Sequence, residues 1–302
     1  MSSFNNNDYE SKISGTLGDL LYIKGLSNDS KIAILRRYAE IVVRKLLDIG
    51  AGTSMTLGDE KIVAELRKRS GNDDMLMGAV NCIRELGNKG THTQEICPAT
   101  DDDVDAAFSS LFDLYAYLFI SYFKKYAFGS NPSVASAFSI LPPIIRYIAL
   151  KNLYEADCEN IAVIDRLSLA MLKAFGEGKA KEWLLERRDK LSGMKTVADD
   201  VVIKLREKYG PAYAQSIVDN APANMFVLCM DRITEVGSML EEKGRLYEDF
   251  EGALELFNRE GRVDGDTSEI SEFNSLMEFV YLGRKPKAND RLDNLDDYQK
   301  MT

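Results

Sequence analysis

The segment from Thr100 to Phe128 constrains the fold most, because it is a long apolar run at helical spacing. Its apolar residues recur every three or four positions and form one wide stripe. The stripe consists of Val104, Phe108, Leu111, Phe112, Tyr115, Leu118, Phe119, Tyr122 and Tyr126. The pattern predicts a long helix whose aromatic stripe is buried in a core or in a dimer contact. Asp101-Asp102-Asp103 at its start either complement the free amides and dipole of the first turn or bind a divalent metal ion.

The remaining segments also show the helical period, and no alternating run bounded by turn residues indicates a strand. A helix is predicted after the cap candidates Asn28 to Ser30, ending at Gly50, and another after Thr56. Further helices are predicted over 142–155, 159–175, 178–191, 196–209, 212–219 and 223–259. The sequence therefore predicts an all-α fold.

Phe128-Gly129-Ser130-Asn131-Pro132 is the strongest candidate for a domain boundary, since it combines turn-forming residues between two helical segments. We predict a disordered N-terminus over 1–16, a helical domain over 17–128 and a second helical domain over 132–260. Residues 261–302 are predicted to be a mostly polar tail with one amphipathic helix, about Ile270 to Leu282.

The charge balance limits the classes of partner. The net charge is -10 and the pI is about 4.9, which argues against a general nucleic-acid coat or an anionic-membrane binder. Residues 31–92 differ from the whole chain in the sign of their charge, because they contain 11 Lys/Arg against 8 Asp/Glu. Any RNA binding is therefore expected in the N-terminal domain and should weaken with added salt.

The expected location is the cytoplasm, without membrane association. The polar N-terminus has no apolar signal region, and the apolar run from Leu114 to Phe123 is too short to cross a bilayer. The four cysteines form no CxxC pair, which is typical of small core residues kept reduced. Cys82, His92 and Cys97 lack a fourth ligand at usable spacing, so no metal site is predicted there.

The segment Arg84 to His92 contains the only histidine of the 302 residues. Apolar residues at helical spacing precede it, and Gly87-Asn88 is typical of a helix that ends in a left-handed turn. Arg84 is then on the last turn and His92 just beyond, so both side chains can face one pocket. An imidazole beside a guanidinium suits chemistry on a phosphodiester. The alternative is that both residues cap helix carbonyls in solvent.

Other common catalytic motifs are missing from the sequence. It has no GxxxxGK[ST] phosphate loop, no GxGxxG, no HExxH and no GxSxG. Most carboxylates fall beside Lys or Arg at positions typical of exposed helix faces. No cofactor is predicted.

Residues 17 to 127 resemble the HEPN superfamily, and most closely a bacterial branch associated with restriction and phage defence. The resemblance covers about 40% of the chain. It rests on four features in order: Ala39-Glu40-Ile41-Val42, Thr56 to Ile62, Ile83 to His92, and the long aromatic helix after Thr100. The resemblance implies a four-helix bundle, followed here by a second all-helical domain.

Active HEPN domains are metal-independent endoribonucleases in which an arginine and a histidine from each protomer meet across a homodimer. The resemblance implies that Arg84 and His92 are catalytic and that Asn88 and Lys89 bind the substrate. Arg84 would hold the scissile phosphate, and His92 would be the general base or acid for attack by the neighbouring 2′-hydroxyl. The activity would suit a phage-defence or toxin-like effector. This chain departs from the usual motif, since seven residues separate Arg84 from His92 and Glu85 follows the arginine.

Two alternatives remain. The chain is either a catalytically silent HEPN module that binds a nucleic acid, a nucleotide or a protein as an adaptor, or a purely structural helical protein. Arg146, Arg166, Arg187, Arg188 and Trp183 in the second domain are compatible with a groove for a ligand or partner protein, and equally with an ordinary amphipathic surface.

Overall fold

The protein is all-α. A computed structural model describes residues 3–23, 25–89 and 98–284, and within these ranges it contains 15 helices and no strand. The prediction of an all-α fold is confirmed. The helices are α1 (Asn6–Tyr22), α2 (Asn28–Leu47), α3 (Glu60–Ser70), α4 (Asp74–Lys89), α5 (Asp101–Lys125), α6 (Pro132–Phe138), α7 (Pro143–Ala156), α8 (Ile161–Phe175), α9 (Glu177–Glu186), α10 (Arg188–Ser192), α11 (Asp199–Tyr209), α12 (Pro211–Asn220), α13 (Met225–Lys243), α14 (Phe250–Glu260) and α15 (Ser268–Tyr281).

The chain divides into two compact units, and the division differs from the boundary predicted near residue 130. Unit 1 comprises Met1–Ala149 together with Leu246–Thr302, and unit 2 comprises Leu150–Arg245. The turn at Gly129 to Pro132 lies inside unit 1, because aromatic rings on both sides of it share one core. Phe128 and Phe138 lie 4.8 and 5.2 Å from the ring of Phe123. A turn-forming sequence therefore joins two parts of one core here.

Helix α5 forms the centre of unit 1. Thr100 caps it through a reciprocal pair of hydrogen bonds with Asp103, so this aspartate stabilises the helix start as the sequence suggested. Helices α2, α4 and α5 pack on one another, and the buried hydroxyl groups of Tyr38 and Tyr115 are hydrogen-bonded. The aromatic stripe of α5 is therefore core, apart from its last member, Tyr126, which stays partly exposed.

The C-terminal segment returns to this core. Phe250 of α14 lies 6.4 Å from Phe112, and Phe273 of α15 lies 6.2 Å from Phe119. The predicted amphipathic segment 270–282 thus corresponds to α15, which contacts α1, α5 and α6. The structure describes the predicted polar tail only as far as Arg284.

Residues 6–16, which were expected to be disordered, belong to helix α1. Asn5 caps this helix by accepting a hydrogen bond from the amide of Asn7. Phe4 is buried, with its ring stacked 4.6 Å from Tyr9. Two asparagines of this segment have structural roles, Asn5 as the cap and Asn6 through its side-chain amide, which donates to the Ser275 carbonyl.

Two helices predicted in the second half of the chain are each divided in the structure. The span 223–259 is broken where α13 ends at Gly244, which has a φ of 73°, and Asp249 then caps α14. The span 178–191 is broken at Arg187, between α9 and α10.

Unit 2 packs α8 against α9 and α13. Asp165 of α8 and Arg232 of α13 form an ion pair. Burial raises the pKa of the nearby Cys229 thiol to about 12, which keeps it protonated and unreactive. Cys229 is a core residue as predicted, whereas Cys82 and Cys158 are only half-buried.

Within the described ranges, one helix satisfies the length and composition of a membrane span. It is α5, and 78% of its most apolar window is buried inside the structure. A buried core helix of this kind meets the same criteria.

Asp113 makes α5 sensitive to pH, because burial raises the pKa of its carboxyl group to about 6. Between about pH 4 and pH 6 the folded state keeps a proton that the unfolded state has released, so this group's contribution to stability falls as pH rises through that window. Asp113→Asn is therefore expected to raise the free energy of unfolding at pH 7 by about 1–2 kcal/mol, after allowance for the partial exposure of the side chain.

Chemical denaturation at about pH 4 and about pH 7.5 tests this expectation. The control is Asp105→Asn, which removes an exposed carboxylate from the same helix and should give no gain. Equal stability of Asp113→Asn and the wild type at the higher pH would contradict the assignment.

Candidate functional site

The predicted site residues belong to unit 1, but the structure describes only three of the four. Arg84, Asn88 and Lys89 lie on the last two turns of α4. His92 lies outside the described residues, in the interval 90–97.

Helix α4 does not end at Gly87-Asn88, contrary to the prediction, and continues to Lys89. Gly87 is buried within the helix, and a Cβ atom at this position would lie 2.4 Å from Cδ of Arg36. The glycine therefore lets the Arg36 side chain of α2 cross the surface of α4. The close approach of the two helices therefore explains the glycine at this position, and a left-handed turn does not.

The Arg36 side chain crosses α4 at Gly87 and reaches Asn88. One guanidinium nitrogen donates a hydrogen bond to the amide oxygen of Asn88, and Nε lies 3.9 Å from a carboxylate oxygen of Glu40. Glu40 also accepts a hydrogen bond of 3.4 Å from the amide of Leu57. Asn88 thus takes part in a network that connects α2, α4 and the loop before α3, in addition to any role toward a substrate.

Arg84 is only partly covered. Its side chain is 30% exposed, and its guanidinium lies 3.6 Å from the carboxylate of Glu85, which is itself 68% exposed. An ion pair this open to water contributes little stability and is easily exchanged for another anion. Lys89 is exposed on the following turn.

A cavity of about 390 Å³ opens beside Arg84. One face of α3 supplies most of its lining, because residues three, four and seven positions apart share a helix face. The lining consists of Gly58, Glu60, Val63, Ala64, Arg67 and Arg84. Gly58, in the loop before α3, lies next to the arginine, since a Cβ atom there would make an ordinary contact of 3.9 Å with Cδ of Arg84.

The charges around the cavity favour a small anionic group. Arg67 and Arg84 contribute two guanidinium groups, against one carboxylate from Glu60. Val63 and Ala64 give an apolar lining between the charged groups. Guanidinium groups match the geometry of a phosphate through paired hydrogen bonds, so the cavity is suited to a phosphate-bearing ligand.

Arg67 lines the cavity but is not among the site residues predicted from the sequence. Arg67, Lys68 and Arg69 form a basic run typical of positive charge that complements the C-terminus of a helix, and all three lie in the last turn of α3. The overlooked signal was the spacing of Glu60, Val63, Ala64 and Arg67, which puts them on one face. The packing of α3 against α4 brings these four residues to the cavity that Arg84 also lines.

Within residues 3–23, 25–89 and 98–284, no group of three or more His, Cys, Asp or Glu side chains is placed to hold a metal ion. Cys82, His92 and Cys97 were considered above as metal ligands. Cys82 is half-buried, and His92 and Cys97 lie outside those ranges.

Comparison of the chain with protein-family models, with curated proteins and with solved structures yields no significant match.

Proposed function

We propose that this protein is a HEPN-type, metal-independent endoribonuclease that acts as a homodimer and resides in the cytoplasm. The observation that supports the proposal best is the open cavity at Arg84, where two guanidinium groups outnumber one carboxylate in a chain whose net charge is -10. A concentration of positive charge on an otherwise acidic protein suits the local recognition of a phosphate.

In the proposed reaction, Arg84 binds the non-bridging oxygens of the scissile phosphate and stabilises the negative charge that develops on them. His92 removes the proton from the adjacent 2′-hydroxyl, whose oxygen attacks phosphorus while the bond from phosphorus to the 5′-oxygen breaks. A proton from an imidazolium is then delivered to the 5′-oxygen. The products are a 2′,3′-cyclic phosphate and a 5′-hydroxyl end, and no oxidant, reductant or cofactor is consumed.

In this proposal Glu85 competes with the substrate for Arg84. Its carboxylate lies 3.6 Å from the guanidinium, and a phosphate has to replace it. Since both side chains are partly exposed, the replacement costs little free energy. In the same proposal Lys89, exposed one turn beyond Glu85, would supply further positive charge to the RNA backbone.

Cleavage of a mixed cellular RNA pool in the presence of EDTA tests the proposal, with His92→Ala measured in parallel. We expect the wild type alone to cut, leaving cyclic phosphate ends, and the histidine variant to be slower by about 100-fold or more. Cleavage that requires a divalent ion, or that is equal in the two proteins, would contradict it.

A second candidate function is a catalytically silent adaptor that binds RNA, a nucleotide or a partner protein. The engagement of the Asn88 amide by Arg36 favours this alternative, because that residue then has a structural role. Tight RNA binding by a folded dimer without cleavage would support the adaptor over the nuclease.

A further inference from the structure

We infer that Arg67 is a second phosphate-binding residue, which contacts an RNA phosphate next to the one held by Arg84. The inference rests on the proposed function and extends the substrate contact from α4 to α3. It would make the cavity a binding site for a short single-stranded segment with two consecutive phosphates.

Arg67 and Arg69 lie in the same last turn of α3 but differ in their partners. Arg69 is held by the carboxylate of Glu65 at 2.8 Å and lies 3.5 Å from the carbonyl oxygen of Leu46. In the part of the chain that the structure describes, the Arg67 guanidinium makes neither a side-chain hydrogen bond nor an ion pair, although it lines the cavity. A guanidinium that lines a cavity without an anionic partner is available to a ligand.

The charged residues of α3 that line the cavity lie at opposite ends of the lining. Glu60 and Arg67 are seven residues apart, which corresponds to about 10 Å along a helix axis. The carboxylate is therefore at one end of the lining and Arg67 at the other, with Val63 and Ala64 between them. Repulsion between a phosphate and Glu60 falls with distance, so Arg67, at the far end of the lining, can hold a phosphate with less repulsion than a residue beside Glu60.

The C-terminus of α3 is the negative end of the helix dipole and does not attract anions. An anion at this place therefore has to be bound by side chains. Arg67 is the residue of α3 that lines the cavity with a positive charge.

The test measures binding to a short fluorescein-labelled RNA whose 2′-hydroxyls are methylated, so that the full-length protein can bind it without cutting. Fluorescence anisotropy over a series of salt concentrations gives the dissociation constant and its salt dependence. Arg67→Gln is expected to weaken binding about tenfold at low salt and to reduce the slope of log Kd against log salt by about 0.7, the value for one contact with a single strand. Arg67→Lys should keep the slope while losing part of the affinity.

Arg69→Gln is the matched control, because it removes the same charge from the same turn outside the cavity and should leave affinity and slope unchanged. If Arg84→Gln weakens binding while Arg67→Gln behaves like Arg69→Gln, the inference is overturned and the proposed function is not. If the wild type does not bind this RNA, both are overturned.

Discussion

Replacing Arg84 by glutamine is expected to lower the rate of the proposed RNA cleavage by about 100- to 1,000-fold, the usual cost of removing one charged or hydrogen-bonding group from a developing oxyanion. Glutamine keeps much of the side-chain length but cannot offer the paired, charged hydrogen bonds of a guanidinium. The folded state should be little affected. The ion pair that is lost, with Glu85, is largely exposed to water and contributes about 0–1 kcal/mol.

Single-turnover cleavage of a labelled RNA in EDTA measures this effect, with thermal unfolding recorded on the same samples. Arg84→Lys should recover only part of the rate, because an ammonium group preserves the charge without the fork of donors. Arg69→Gln should cleave at the wild-type rate, since Arg69 is paired with Glu65 away from the cavity. An unchanged rate for Arg84→Gln would exclude a role in the reaction and would favour the adaptor.

Phe273→Ala is expected to reduce the free energy of unfolding of unit 1 by about 3–5 kcal/mol. The side chain is fully buried on α15, and its ring lies 5.5 Å from Tyr122 and 6.2 Å from Phe119 of α5. Truncation removes the transfer free energy of the ring and leaves a cavity between two helices that are about 150 residues apart in sequence. Domains have total stabilities of about 5–15 kcal/mol, so the loss would be a large fraction of the whole.

Urea denaturation gives the size of the loss, and hydrogen-exchange mass spectrometry assigns it to peptides of unit 1. Leu246→Ala is the control in the same unit, because Leu246 is 82% exposed and its truncation should change stability by less than about 0.5 kcal/mol. A loss below about 1 kcal/mol for Phe273→Ala would show that α15 is not an integral part of the core.

The local features of the fold could be predicted from the sequence. The capping pair of Thr100 and Asp103, the period of the aromatic residues and the lack of alternating runs all involve residues within one or two helical turns of each other. Such patterns act through local hydrogen bonds and one-sided burial, and they depend little on the rest of the chain. The placement of Arg84 on the last turns of a helix was predictable for the same reason.

Features that depend on distant segments were not predictable in this way. Gly87 was interpreted as a helix end. In the structure it lies within α4, and its missing side chain leaves space for Arg36 of α2, which packs on α4. Arg67 belongs to a basic run typical of a helix C-terminus, and only the packing of α3 on α4 brings it to one cavity with Arg84. Glycines and arginines serve several purposes with the same local sequence, so the neighbour decides which purpose applies.

The sequence by itself determined that the chain is helical and where its longest buried helix begins. Only the tertiary structure decided that residues 246–284 return to the core of unit 1 and that the turn at Gly129 lies within that core. The physical reason is that helix formation is specified by contacts three or four residues apart, whereas the pairing of Phe250 with Phe112 and of Phe273 with Phe119 depends on complementary apolar surfaces. Burial of apolar surface is non-directional, so a hydrophobic stripe indicates that it will be covered without indicating which helix will cover it.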